Sequence, residues 1–290
     1  MIVPIWEVFA GILALAFAAG LLGALLGLGG GLIIVPGLVI LFGIDVHLAI
    51  AASLVSIIAN SSGSASRYAR QGQINLRLGM FLEIATAAGG VIGAVLTTTL
   101  LTGSTGTTIL LVSFVPVTLA AAILLRRNIG RHVAQTAETD PLAERWRLSG
   151  SFRDNVTGET VEYKVLATKK GLMASLGAGL ISGLIGIGGG IFKVPAMNVF
   201  MRVPMKVASA TSSLMIGVTA GGGALIFLLR GYIAPLLVAP VAIGALAGSF
   251  TGTLVHSRSS SDTLKTLFVM VLIAAAIIMA LKAVGVLATA

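Results

Sequence analysis

The sequence predicts an all-α polytopic membrane protein of two inverted-topology repeats, each with about five membrane segments, including short or re-entrant helices after Gly-rich breaks. Three observations predict it: an apolar and charge-poor composition, stretches long enough to cross a bilayer, and an internal repeat covering most of the chain. Apolar residues make up 57% of 290 positions and charged residues 10%. A soluble domain carries about 25% charged residues. A spanning helix needs about 20 mostly apolar residues, and such stretches occupy 4–26, 76–101, 107–125, 205–229, 233–255 and 264–287. No single soluble core could absorb them all.

The repeat is read directly. GLLGALLGLGGGLIIVPGLVI from Gly20 matches GLISGLIGIGGGIFKVPAMNV from Gly179, an offset of 159 (179 − 20). At that offset Ser53 falls on Ser212, Gly63 on Gly222, Gly72 on Gly231, Ile74 on Ile233 and Gly93 on Gly252. The chain therefore divides into a first transmembrane repeat (1–126), a linker (127–170) and a second transmembrane repeat (171–290).

Each half opens with an apolar segment. The N-terminal MIVPIWEVFAG lacks the basic region of a secretory signal, so its apolar run is read as retained. A Gly-rich break follows, and then a short apolar stretch, 32–42 or 191–201. At about 1.5 Å per residue these stretches reach only about half of the hydrocarbon core, so they are half-helices of re-entrant hairpins or short helices packed between others. Three longer helices complete each half. Between the halves, FRDNVTGETVEYKV has a turn signal at Asn155–Gly158, then apolar Val161, Tyr163 and Val165 alternating with polar residues. That pattern predicts a small β-hairpin, serving as a folded linker or as a lid on the bundle.

Five segments per half make the halves insert in opposite senses. One face then collects Arg67, Arg70, Arg77, Arg126, Arg202, Lys206, Arg258, Lys265 and the basic residues of the linker, while the other holds Arg230 and Lys282. The bias makes the richer face cytoplasmic. This predicts a multi-pass protein of the cell inner membrane with both termini outside and a cytoplasmic linker. The net charge of +9 is spread along membrane borders, without the basic stripe and interleaved aromatics of a nucleic-acid binder. Inverted repeats are a common architecture of secondary transporters, with substrate held near the midplane.

The breaks carry the chemistry. Gly27-Leu28-Gly29-Gly30-Gly31 resembles a dinucleotide fingerprint, but it interrupts apolar helices instead of joining a strand to a helix, and it recurs as Gly186-Ile187-Gly188-Gly189-Gly190. Glycine leaves backbone N–H groups unobstructed, and a helix restarting after such a break suits an oxyanion. Irregular backbone at membrane depth survives only inside protein or along a cavity. Gly29, Gly30, Gly31, Gly188, Gly189 and Gly190 are accordingly candidate substrate-binding residues. Close helix packing is the plainer alternative for these glycines.

Lys193 lies three residues past Gly190 in an apolar run, opposite Ile34 in the repeat. Such a charge either neutralises a bound anion or extends to the interface. Glu83, six residues after Arg77, is a candidate proton-coupling carboxylate or an ion-pair partner of a nearby arginine. Ser53, Asn60, Ser212 and Ser213 are candidate hydrogen-bonding groups for the substrate, unless they bond back to their own helices. His47, His132 and His256 have no metal-ligand spacing, and no catalytic constellation is visible, so no metal, no cofactor and no enzyme are expected.

The paired GLGGG…VP and GIGGG…VP segments are each followed by an Ala/Ser/Thr-rich helix, AIAASL and ASATSSL. This arrangement resembles the TauE/SafE sulfite exporter family, also called the toluene-sulfonate uptake permease family, over nearly the whole chain. The resemblance implies a secondary carrier for sulfite, thiosulfate, sulfoacetate or related organosulfur anions, driven by the proton gradient. Export of a small sulfur-containing anion by alternating access is the leading expectation. Uptake of a sulfonate, thiosulfate or another anion is the alternative, and a non-transporting scaffold a more distant one. The expected partners are the anion and the bilayer, with no nucleic acid; a homo-oligomer is compatible with all three readings.

Overall fold

A computed structural model describes residues 5–101, 103–126, 140–154 and 157–283. These contain eleven α-helices, one π-helical turn and one two-stranded sheet, an all-α architecture apart from the linker. The first five helices are α1 (Ile5–Leu26), α2 (Gly31–Leu41), α3 (Val46–Arg70), α4 (Leu76–Thr99) and α5 (Gly103–Arg126). After α6 (Pro141–Arg145), β1 (Gly150–Arg153) and β2 (Thr160–Tyr163) come α7 (Thr168–Ile185), α8 (Gly190–Pro195), α9 (Met205–Leu229), α10 (Pro235–Arg258) and α11 (Ser261–Ala283). Six described helices are long and apolar enough to cross a bilayer.

Helix boundaries follow local chemistry. Asp45 accepts hydrogen bonds from His47 N and Leu48 N at the start of α3, and Asn75 accepts one from Leu78 N at the start of α4. Both caps satisfy N–H groups that the helix itself leaves free. The two short segments differ from each other. α2 is continuous over 11 residues, whereas α8 runs for 6 and passes at Pro195 into the π-helical turn Ala196–Phe200. Proline supplies no N–H to the ladder, and a widened turn is one way to accommodate it.

Element starts recur at the offset of the sequence repeat: Gly31 and Gly190, Val46 and Met205, Leu76 and Pro235. Packing recurs with them. α1 lies along α10 and α7 along α4, while α3 and α9 pack on each other at the centre. The long contacts are close because glycines line them. A Cβ at Gly248 would run into Phe17 O, and one at Gly183 into Gly90 O. Small residues of this kind let helix backbones approach where no hydrophobic force separates helix from lipid.

The expected hairpin is present, in the register Gly150↔Tyr163 to Arg153↔Thr160. Residues 155 and 156 of its turn lie outside the described residues, as do 127–139 of the linker, including His132. The hairpin docks on the bundle: Leu148, Phe152, Tyr163 and Val165 join the core that contains Leu78, Leu82 and Val207. Asn75 ties it down, donating from Nδ2 to Leu148 O at 2.6 Å and to Tyr163 Oη at 2.9 Å. The sequence reading missed α6, although Asp140-Pro141 is a cap followed by a first-turn proline.

Candidate anion site at the glycine breaks

Both breaks adopt the backbone that only glycine takes without strain. Gly27, Gly29 and Gly30 have φ of 73°, 79° and 90°, matched by 69°, 86° and 70° at Gly186, Gly188 and Gly189. Gly30 and Gly189 are the N-caps of α2 and α8, and neither helix start has a side-chain cap. The breaks meet at the centre of the molecule. A Cβ on Gly31 would run into Gly186 O, and one on Gly190 into Gly27 O.

The repeat-matched serines cross-link the breaks. Ser53 Oγ donates to Gly186 O at 2.7 Å, and Ser212 Oγ donates to Gly27 O at 2.9 Å. Each serine thus holds the break of the other half, and its hydroxyl proton is committed. Asn60 donates from Nδ2 to Gly20 O at 2.8 Å, but its Oδ1 has no partner. Ser213 is buried and its Oγ has no partner either. A buried polar atom without a partner costs about 1–3 kcal/mol, so both positions suit a polar guest or a water molecule.

Lys193 stands one turn into α8 with 0% of its surface exposed. Its Nζ lies 3.2 Å from Glu83 Oε2 and donates to Thr219 Oγ1 at 2.8 Å. Thr219 Oγ1 donates in turn to Glu83 Oε1 at 2.6 Å. Three helices, α4, α8 and α9, therefore close a ring of opposite charges bridged by a hydroxyl. The interface reading of Lys193 does not describe this geometry, nor does pairing of Glu83 with an arginine. The ring belongs to one half only: Ile34, Ala242 and Asn60 stand at the repeat-matched positions. Thr219 is a site residue that sequence alone does not single out, although it matches Asn60 at the repeat offset. Lys206, expected among the loop cations, is instead fully buried and bonds Asp154.

A family model described as sulfite exporter TauE/SafE matches residues 12–279. The chain belongs to the TauE/SafE sulfite exporter family. The chain is similar to the probable membrane transporter protein YunE of Bacillus subtilis (strain 168), 28% identical over 90% of this chain and 93% of that one. The probable membrane transporter protein YdhB of the same organism is 24% identical over 83% and 87%. The probable membrane transporter protein MamO of Paramagnetospirillum magneticum (strain ATCC 700264 / AMB-1) is 25% identical over 86% of this chain and 40% of its own length. No solved structure matches. This TauE/SafE chain is a membrane transporter, and its two glycine breaks lie well inside the matched region.

Proposed function

We propose that the chain is a secondary carrier that exports a small sulfur-containing anion, sulfite or an organosulfonate, by alternating access between two inverted halves, with the proton gradient as driving force. The observation that carries this is the Lys193–Glu83–Thr219 ring one turn past a glycine break, with Lys193 fully buried, in a chain of a family described by sulfite export. Charges inside membrane segments are costly and mark ion pathways. Lys193 supplies the positive charge for an oxyanion, while the restarted helices α2 and α8 supply N–H groups from the two halves. Asn60 Oδ1 and Ser213 Oγ add buried polar atoms without partners. In the empty carrier Glu83 fills the place of the anion.

The shared lysine also supports uptake. A proton on Glu83 removes its charge and frees Lys193, so proton and anion bind together. That linkage is the signature of symport, which runs inward under an inward proton gradient. Flux of radiolabelled sulfite in proteoliposomes separates the two directions. Acid outside speeds efflux if proton and anion exchange, and speeds uptake if they travel together. Lys193→Ala is expected to abolish the gradient-dependent flux in either case. Unchanged flux in that variant, or none from the folded wild-type protein with sulfite, thiosulfate or simple sulfonates, removes the assignment.

A further inference from the structure

A groove of about 680 Å³ opens where the linker meets α4 and α7. Its size is within the range of about 300–1,000 Å³ common to small-molecule sites. Arg77, Phe81 and Ile84 of α4, Trp146 and Leu148 of the linker and Leu172 of α7 line it, and no acidic residue does. Gly89 packs on Leu176 O and Gly93 on Leu180 O, so α4 and α7 run in parallel, both entering from the linker side. Arg77 stands in the first turn of α4, and Ile84 lies about 10 Å further along the helix. Met80 and Ile84 point outward, 63% and 77% exposed, on a helix long and apolar enough to cross a bilayer.

Apolar side chains facing lipid are ordinary; a cation at the mouth of such a groove and an indole beside it are not. Arg77 is exposed and makes no ion pair among the described residues. The first turn of α4 holds no acidic residue, so the guanidinium adds to the partial positive charge of the helix start. Trp146 is 55% exposed, with its ring 5.7 Å from that of Phe81. Its position is fixed through Leu148, which is buried and accepts a hydrogen bond at its O from Asn75, the cap of α4. Tryptophan favours the level where headgroups meet hydrocarbon. Arg77 and Trp146 thus mark a headgroup level, with Phe81, Ile84 and Leu172 below it. A second apolar groove, about 260 Å³ between α1, α2 and α11, has no charged residue in its lining. That groove can seat an acyl chain but cannot choose among headgroups.

We propose that the groove at the linker is a binding site for an anionic phospholipid, with the headgroup on Arg77 and an acyl chain running past Trp146 and Phe81 toward Ile84. A zwitterionic lipid offers the same phosphate but brings its own cation, so an unpaired arginine prefers the headgroup with net negative charge. The site goes beyond the carrier reading and does not depend on it.

The chain has two tryptophans, so in a Trp6→Phe background the emission comes from Trp146 alone. Full-length protein is reconstituted in phosphatidylcholine bilayers containing a graded fraction of phosphatidylglycerol or phosphatidylcholine brominated on its acyl chains, which quench an indole that they touch. Half-maximal quenching is expected at an about fivefold lower mole fraction of the brominated phosphatidylglycerol, the factor that accompanies one basic side chain near anionic lipid. Arg77→Gln should erase that difference while leaving quenching by brominated phosphatidylcholine unchanged, which also shows that the variant is folded and inserted. Equal quenching by the two lipids before the arginine is changed would mean ordinary boundary lipid and overturn the proposal. So would a preference that survives Arg77→Gln, or quenching by neither lipid, the result if a second copy covers this face. None of these outcomes bears on sulfite flux through Lys193.

Discussion

A lysine with no exposed surface costs several kcal/mol to desolvate, and the carboxylate of Glu83 offsets this only while both charges are present. Lys193→Ala should therefore destabilise the protein by about 3–5 kcal/mol as well as stop flux, read as a drop in thermal unfolding temperature in detergent. Lys193→Met combined with Glu83→Leu should recover most of that stability with no return of transport, which separates folding from function. A similar contrast applies to the glycines. Gly190→Ala drives a Cβ into the backbone at Gly27 O and should prevent folding or binding. Gly72→Ala, at φ 66° with open space around it, should cost about 1 kcal/mol. At this scale the sequence showed which residues were unusual but not whom they met. A charge in an apolar run stands out from its neighbours, whereas Lys193 and Glu83 are 110 positions apart and only the fold joins them. Thr219 was harder still, because one hydroxyl among many carries no signal until a carboxylate faces it.

The linker shows which elements a sequence can announce. Its hairpin was legible from strict alternation around Val161 and Tyr163, while α6, at 5 residues, is too short for helical periodicity to register. Asp140 is the joint of this element. Burial raises its carboxyl pKa, but donors on Thr168, Leu142 and Ala143 outweigh that and hold it below the ordinary 3.8. The tie between α6 and α7 is accordingly intact above that value and is lost as pH falls beneath it. Trp146 reports the change, since its ring lies 5.7 Å from Phe81 on α4. In a Trp6→Phe background, Trp146 fluorescence should shift on acidification below about pH 4. Asp140→Asn should flatten this transition and loosen the linker at neutral pH. The π-helical turn after α8 has no periodicity of its own in the sequence; what departs from α2 is Asn198, which stands where α2 has Val39 and donates from Nδ2 to Val203 O at 2.9 Å.

Across the whole molecule, the repeat was the most legible feature, since one gap-free offset predicted which helices would correspond. Less legible was the exchange of contacts between halves, in which Ser53 and Ser212 each bond the break of the other. Removing both hydroxyls should lower stability by about 2 kcal/mol, near the sum of two buried hydrogen bonds, as measured by chemical unfolding. The charge bias predicts an orientation that labelling can test. A cysteine at Glu162 on the hairpin should react with impermeant thiol reagents only in inside-out vesicles, and one at Arg230 only in right-side-out vesicles. The reverse pattern would invert the topology. The ring of Lys193, Glu83 and Thr219 has one further effect, electrical in kind. Moving one elementary charge through a bilayer held at 100 mV involves about 2.3 kcal/mol, and a lone lysine would feel that field at every turnover. Because Glu83 cancels it within 3.2 Å, the ion-paired ring carries no net charge, and the resting voltage has nothing to act on there until a proton or an anion binds.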